Sequence, residues 1–264
     1  MKRLHLFEFE DFPWFPNWIR ALMTNYIQSF HKILQTDKLL LPLVKKGLLY
    51  SDTDQIIDLC SGSGGPMIEV FKSLKREGRF SNLQMKLTDL YPNQKAIAYL
   101  QEEEIKGLSY QNKPQDVTRL NPKTKGLRTL VSGMHHMRPE MARKVLHQAQ
   151  SSQQPILVFE ISDNSAPTFL WWLAIPVAFL ISLFVTPFVR PLTWKQLVFT
   201  YLVPIVPLFI AWDGAVSNVR TYTLEDMVKL TDGLSDDHYQ WEMGKIKGKG
   251  GNKLYLLGKP ERTN

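Results

Sequence analysis

One cysteine, Cys60, is all that this chain of 264 residues contains, which excludes an intramolecular disulfide. A reducing compartment suits that composition. No cleavable signal is expected either, because Met1-Lys2-Arg3 leads into the acidic run Glu8-Phe9-Glu10-Asp11 where a signal needs an unbroken apolar stretch. Charge of one sign is not in great excess: the formal net charge of +7 suits anionic lipid and nucleic acid equally. Two further absences narrow the partners. There is no Asn-Pro-Pro-Tyr stretch of the kind that handles flipped bases, and no interleaving of aromatic and basic residues for RNA. Nucleic acid is therefore not an expected partner.

What is present is organised around Ile56-Ile57-Asp58-Leu59-Cys60-Ser61-Gly62-Ser63-Gly64-Gly65-Pro66. Apolar residues around an acid, bounded by small ones, predict a buried parallel strand, and Met67-Ile68-Glu69-Val70-Phe71 then repeats apolar positions at helical spacing. Strand, turn and helix make a nucleotide-type site. Gly62 and Gly64 lack side chains where the backbone turns sharply and a ligand comes close, and the free N–H groups of the new helix face the same spot. A carboxylate at Asp58 disfavours a pyrophosphate there and suits a ligand with hydroxyls or a positive charge. Leu83 to Asp89 predicts the next strand, its acid about thirty residues after Asp58, the length of a strand–helix–strand unit. Asp89 is placed to accept hydrogen bonds from ribose hydroxyls. Asp116, after another short strand candidate, is placed to receive an adenine amino group.

In order and spacing these residues resemble the class I S-adenosylmethionine-dependent methyltransferases. Asp58-Leu59-Cys60-Ser61-Gly62-Ser63-Gly64-Gly65 is similar to the first motif, Asp89-Leu90-Tyr91 to the second and Asp116-Val117 to the third. Leu130-Val131-Ser132-Gly133-Met134-His135-His136 is similar to the motif after the fourth strand. The resemblance covers about Asp54 to Ile161 and resumes for the last strands. Cys60 stands where the family often has glycine. The resemblance implies an α/β fold with a seven-stranded Rossmann-like sheet, mostly parallel with the last strand antiparallel. It also implies S-adenosylmethionine as cofactor, held by Asp58, Cys60, Gly62, Gly64, Asp89, Leu90, Asp116, Val117 and Ser132. The reaction it implies is SN2 transfer of the sulfonium methyl, with the protein aligning acceptor and methyl in a dry cleft.

Ligands of such sheets bind beyond the carboxyl ends of the strands, which puts Gly133-Met134-His135-His136-Met137 on the active face. His135 or His136 either takes a proton from the acceptor or lines its pocket. A metal is not expected, since two adjacent histidines do not easily share one ion and no cysteine is near.

The chain divides into an N-terminal helical segment, 1–50, a methyltransferase-like domain, 51–163 with 221–260, and an apolar hairpin, 164–220. From about Trp18 to Leu34 apolar residues recur at helical spacing, predicting a helix that covers the cofactor cleft as a lid or merely packs on the sheet. Arg20, beside its apolar face, meets an anionic group or reaches solvent. Thr168–Val189 and Gln196–Trp212 read as two apolar helical arms joined by the polar tip Arg190–Lys195. The first arm is long enough to cross a hydrocarbon layer of roughly 30 Å, and the second is at the lower limit. Pro176, Pro187, Pro204 and Pro207 interrupt them, and a basic tip on the far side runs against the positive-inside tendency. The preferred expectation is a hairpin that dips into one leaflet or spans imperfectly through 168–212, with Trp171, Trp172, Trp194 and Trp212 as interfacial anchors. A soluble cap or a dimer interface is the alternative. The catalytic domain is then expected on the cytoplasmic side.

The base of the hairpin should lie beside the cleft. Asp213, Arg220 and Tyr222 either orient a polar head of the acceptor or, for the first two, brace the neck as an ion pair. Thr223-Leu224-Glu225-Asp226 predicts a capped helix, and 238–246 with 253–257 the closing antiparallel strands. The expected activity is methyl transfer to a hydrophobic or lipid-like small molecule. The alternatives are a non-catalytic membrane scaffold that keeps the fold, and a membrane-tethered methyltransferase for protein or nucleic acid.

Overall fold

The computed structural model describes residues 1–261. Five parallel strands carry the apolar runs: β1 (Gln55–Leu59), β2 (Gln84–Thr88), β3 (Leu108–Tyr110), β4 (Leu127–Val131) and β5 (Ile156–Glu160). β1, β4 and β5 are covered on both faces, which is why they read as continuous rather than alternating hydrophobic runs. The chain returns as the hairpin β6 (Tyr239–Gly248) and β7 (Gly251–Pro260), with β7 antiparallel to β5. Strand order is β3-β2-β1-β4-β5-β7-β6, the mostly parallel seven-stranded sheet that was expected. Strand order reverses between β1 and β4, so a crevice opens there at their carboxyl ends.

Two apolar layers sandwich the sheet. On one face α5 (Pro139–Ser151) contributes Leu146 and a later helix Leu230, packed with Val158 of β5. On the other, α2 (Thr36–Leu48), α3 (Gly65–Lys75) and α4 (Gln94–Glu103) contribute Leu40, Phe71 and Leu100, packed with Phe159. Each such fully buried side chain stabilises the fold by about 1.5–3 kcal/mol. Pro139 opens α5 in its first turn, where no N–H is needed.

The N-terminal helix α1 (Asn17–Leu34) is the one its periodicity predicts, but α2 is an addition to that reading. Gln35, with φ 54°, lets α1 end and α2 begin at once. Pro42 inside the run Leu39-Leu40-Leu41-Pro42-Leu43-Val44 hides the period of α2. The aromatic face of α1 does not simply lie on the sheet. Phe15, Ile19, Met23 and Tyr26 form a third core with Val185, Val206 and Ile210 of the apolar segment that follows β5.

In that segment Thr168–Phe188 is one helical stretch, α6 (Ala174–Val185) flanked by 3-10 turns. α7 (Trp194–Leu197) continues through a π-turn to Leu202, and the chain then bends by 81° into α8 (Ile205–Arg220). Pro204 at the bend has no N–H to continue the helix. The second arm is therefore two helices rather than one, and α8 runs on past Trp212 to carry Asp213 and Arg220 down to the sheet. α9 (Leu224–Thr231) follows, opened by the expected capping box of Thr223 and Asp226.

Candidate active site

The turn after β1 is held by its small polar residues. Ser61 Oγ donates to the Asp58 carbonyl (2.9 Å) and accepts from Thr88 N–H (3.1 Å), while Ser61 N–H donates to the Thr88 carbonyl (3.0 Å), tying the turn to β2. Gly62 N–H then donates to Asp89 Oδ2 (2.8 Å), and the Tyr110 hydroxyl donates to the Gly62 carbonyl (2.7 Å). Gly64 has φ 88°, a backbone conformation that favours glycine, and a Cβ there would meet Ile68 Cδ1 at 2.5 Å, so the Ile68 side chain would have to shift. Cys60 itself has φ 53°, in the left-handed region that glycine enters most readily. Burial pushes its thiol pKa up, helped by the nearby carboxylates, so at neutral pH it is no nucleophile.

The three acids differ in environment. Asp58 is buried and accepts from the Thr129 hydroxyl (2.6 Å), a bond set by the Asp58–Thr129 register of β1 and β4. Burial raises its pKa to about 7, against the hydrogen bonds of Ser61 and Thr129. Asp89 also accepts from Tyr91 N–H (2.8 Å) and is flanked by exposed Leu90. Asp116 caps the turn beside buried Val117, and hydrogen bonds from Thr118 hold its pKa below the ordinary value. Gln28 of α1 donates to Ser63 Oγ (2.5 Å), so the N-terminal helix touches the glycine turn. Gln28 and Tyr110 went unnoticed in the sequence, since nothing local marks them, and Ser61 was read only as part of the glycine turn.

Across the switch point, Ser132 (φ 51°) follows β4 with its hydroxyl buried and, among the described residues, without a hydrogen-bond partner. Glu160, at the end of β5, accepts from Met134 N–H (2.9 Å) and His135 N–H (3.1 Å) with Oε1, and lies 2.8 Å from His135 Nδ1 with Oε2. A proton on Nδ1 then leaves His135 Nε2 as an acceptor. Sequence reasoning did not single out Glu160, although an acid ending an apolar strand is the signal that marked Asp58. The two imidazoles stand 4.2 Å apart at 35°.

Of the residues expected at the hairpin base, Arg220 reaches the backbone of this histidine pair and Tyr222 that of Met137, whereas Asp213 is held by the backbone of the first twelve residues. Asp213 accepts from Phe9 N–H (2.8 Å) and Glu10 N–H (3.2 Å) rather than pairing with Arg220. Arg220 lies 3.0 Å from Glu8 and 2.6 Å from Asp11, and donates to the His135 and His136 carbonyls. The Tyr222 hydroxyl donates to the Met137 carbonyl (2.8 Å) beneath the Arg3 guanidinium. Arg20 neither meets an anion nor simply reaches solvent: it donates to Asn17 Oδ1 (2.7 Å) and the Phe12 carbonyl (2.8 Å). His136 Nδ1 lies 2.9 Å from Asp11 Oδ1. Burial alone would raise the Asp11 pKa, but His136 and Arg220 outweigh it and hold the carboxyl well below its ordinary value. Burial pushes Glu8 up to about 7, partly countered by His136 and Arg220.

No protein-family model matches the sequence, and no curated protein does. Solved structures do match. The methyltransferase domain of bacterial CtHen1-C aligns with 87% of this chain and 98% of its own length, at a TM-score of 0.51 and 10% identity. The fold is that of the class I methyltransferases. Mitomycin 7-O-methyltransferase MmcR aligns at a TM-score of 0.49 and 11% identity, over 91% of this chain and 54% of its own. An O-methyltransferase family protein from Burkholderia thailandensis aligns at 0.49 and 12%, over 88% and 58%. The chain thus spans little more than half the length of those two. Within this methyltransferase fold, the glycine turn, the three acids and the histidine pair all lie at or beyond the carboxyl ends of the parallel strands.

Proposed function

We propose that this protein is an S-adenosylmethionine-dependent methyltransferase acting on a hydrophobic, lipid-like small molecule at the cytoplasmic face of a membrane. The observation that carries this reading is the grouping at one sheet edge of a glycine turn over buried Asp58, Asp89 bound to that turn, and a His135–Glu160 pair. The residues fit the cofactor. Gly64 keeps the turn bare of side chains, and the raised pKa of Asp58 marks a carboxylate that gains from a cation beside it. When bound, S-adenosylmethionine supplies a methyl group on a sulfonium that departs as a neutral thioether. Asp89 takes the ribose hydroxyls, Asp116 the adenine amino group, and Leu90 and Val117 the apolar faces.

His135 Nε2 accepts the proton that the acceptor loses as its lone pair takes the methyl, and Glu160 stabilises the imidazolium that results. This favours a hydroxyl or amine acceptor. The membrane part is supported by Thr168–Phe188, which is long and apolar enough to cross a bilayer while hardly any of it is buried, unlike the core helix of a soluble fold. Phe169, Trp172, Leu180, Phe184 and Phe188 are exposed along it. The 81° bend in the second arm favours a hairpin, 164–220, that dips into one leaflet over one that spans. The domain of 51–163 with 221–260 then stands at the surface, beneath the helical segment 1–50.

Calorimetric titration of the detergent-purified protein with S-adenosylmethionine and its demethylated product tests the reading, beside an Asp89→Ala variant. Binding lost in the variant, followed by labelled-methyl transfer into lipid extracts, is the expected result. Folded protein that binds neither compound sinks it in favour of a membrane scaffold.

A further inference from the structure

We infer that Glu8, His135 and His136 form a binding site for one divalent transition-metal ion of the zinc type. One ligand atom from each residue lies within 4.8 Å of the others, and ligands around such an ion, bonded at about 2.0–2.2 Å, stand about 3–4 Å apart. Small side-chain rotations close that difference. Two adjacent histidines with no cysteine near were not expected to share one ion. Here their rings lie 4.2 Å apart at 35°, and the third ligand comes from the far end of the chain.

Glu8 supplies the second observation. It is fully buried, and neither carboxylate oxygen accepts a hydrogen bond among the described residues. Oε1 faces Arg220 Nη1 at 3.0 Å, but that guanidinium is shared with Asp11 and two carbonyls. Oε2 faces His136, 3.7 Å from the Nδ1 that also meets Asp11 at 2.9 Å, which leaves the Nε2 of that ring to a metal. A buried carboxylate in this position is stabilised by a cation bound between it and the imidazoles.

The outer partners agree. The Glu160 carboxylate on His135 Nδ1 and the Asp11 carboxylate on His136 Nδ1 repeat the carboxylate–histidine pairing that orients metal-bound rings. Two imidazoles with one carboxylate suit zinc and its late first-row neighbours, whereas magnesium and calcium prefer all-oxygen sites. Three protein ligands leave a coordination position open. What that position does rests on the methyl-transfer reading: an acceptor oxygen bound there has its pKa lowered, and His135 then serves as ligand instead of base.

The test uses the full chain, stripped of metal, without cofactor or acceptor, so its outcome is separate from that of the S-adenosylmethionine titration. Zinc, and separately magnesium, are titrated calorimetrically, and cobalt is added to read the ligand-field bands of nitrogen coordination. Expected are one zinc per chain, no magnesium binding, and visible cobalt bands. Glu8→Gln and His136→Asn, each checked for folding by circular dichroism, weaken zinc binding by at least about tenfold. Absence of stoichiometric zinc binding in the unaltered protein overturns the inference, as does equal binding in both folded variants. The unaltered protein decides alone if a variant fails to fold.

Discussion

Replacing Asp58 by asparagine should stabilise the ligand-free protein at pH 8 while removing its affinity for S-adenosylmethionine. Asp58 is 3% exposed, and burial lifts its pKa from 3.8 to about 7. The unfolded chain releases this proton near pH 4, whereas the folded protein holds it to about 7. Stability from this group is therefore greatest at low pH, falls as pH rises between those values and is level above them. A shift of that size corresponds to roughly 4 kcal/mol against the ionised folded state. Asparagine escapes that penalty but leaves an amide N–H without an acceptor, which costs about 1–3 kcal/mol. The net gain is about 1–3 kcal/mol at pH 8, reversing near pH 4. Urea unfolding of both proteins at pH 5 and pH 8 measures the difference, and a difference that does not change with pH refutes the reasoning. In the unaltered protein, affinity for the sulfonium should rise toward pH 7, by at most about tenfold per unit, and level off above it. The asparagine variant should bind weakly with no such slope.

Gly64→Ala forces a Cβ at φ 88° to within 2.5 Å of Ile68, and should cost about 2–4 kcal/mol by calorimetric unfolding, with loss of cofactor binding. In Glu160→Gln the amide donates to His135 Nδ1 and moves the ring proton to Nε2. Turnover should fall by about 10²–10⁴ with S-adenosylmethionine affinity unchanged, and loss of affinity instead would make Glu160 a purely structural residue. Phe184→Asp with Phe188→Asp alters two exposed side chains, so unfolding free energy should move by no more than about 0.5 kcal/mol per site. Sedimentation with anionic vesicles should be lost, and undiminished sedimentation would remove the hairpin from the membrane reading.

The parallel half of the sheet was legible because its strands are buried on both faces and so appear as unbroken apolar runs, and because acids at their ends and a glycine turn mark the ligand edge. That information is local: Asp58, Gly62, Gly64 and Asp89 lie within one strand–helix–strand unit. α2 was lost to its own composition, since Pro42 within a leucine run erases the helical period. The second arm failed for the opposite reason. Its hydrophobicity is continuous, but Pro204 turns the backbone, so one run of sequence became two directions in space.

Least legible was the closure over His135 and His136. Glu8 and Asp11 meet Arg220 across more than two hundred residues, and Phe9 and Glu10 bond Asp213 from equally far. No window of sequence contains both partners. In sequence the acidic run at 8–11 carried only a negative conclusion, the lack of a signal segment, whereas in the fold all three of its acids face His136. Arg220 explains why the geometry holds. Its guanidinium fork meets Asp11 and one oxygen of Glu8 at once, while the second Glu8 oxygen faces His136. The segment that closes the histidine site is thus fixed by a residue on α8, the helix that also carries the apolar arm. A movement of α8 is therefore transmitted through Arg220 to the backbone of His135 and His136.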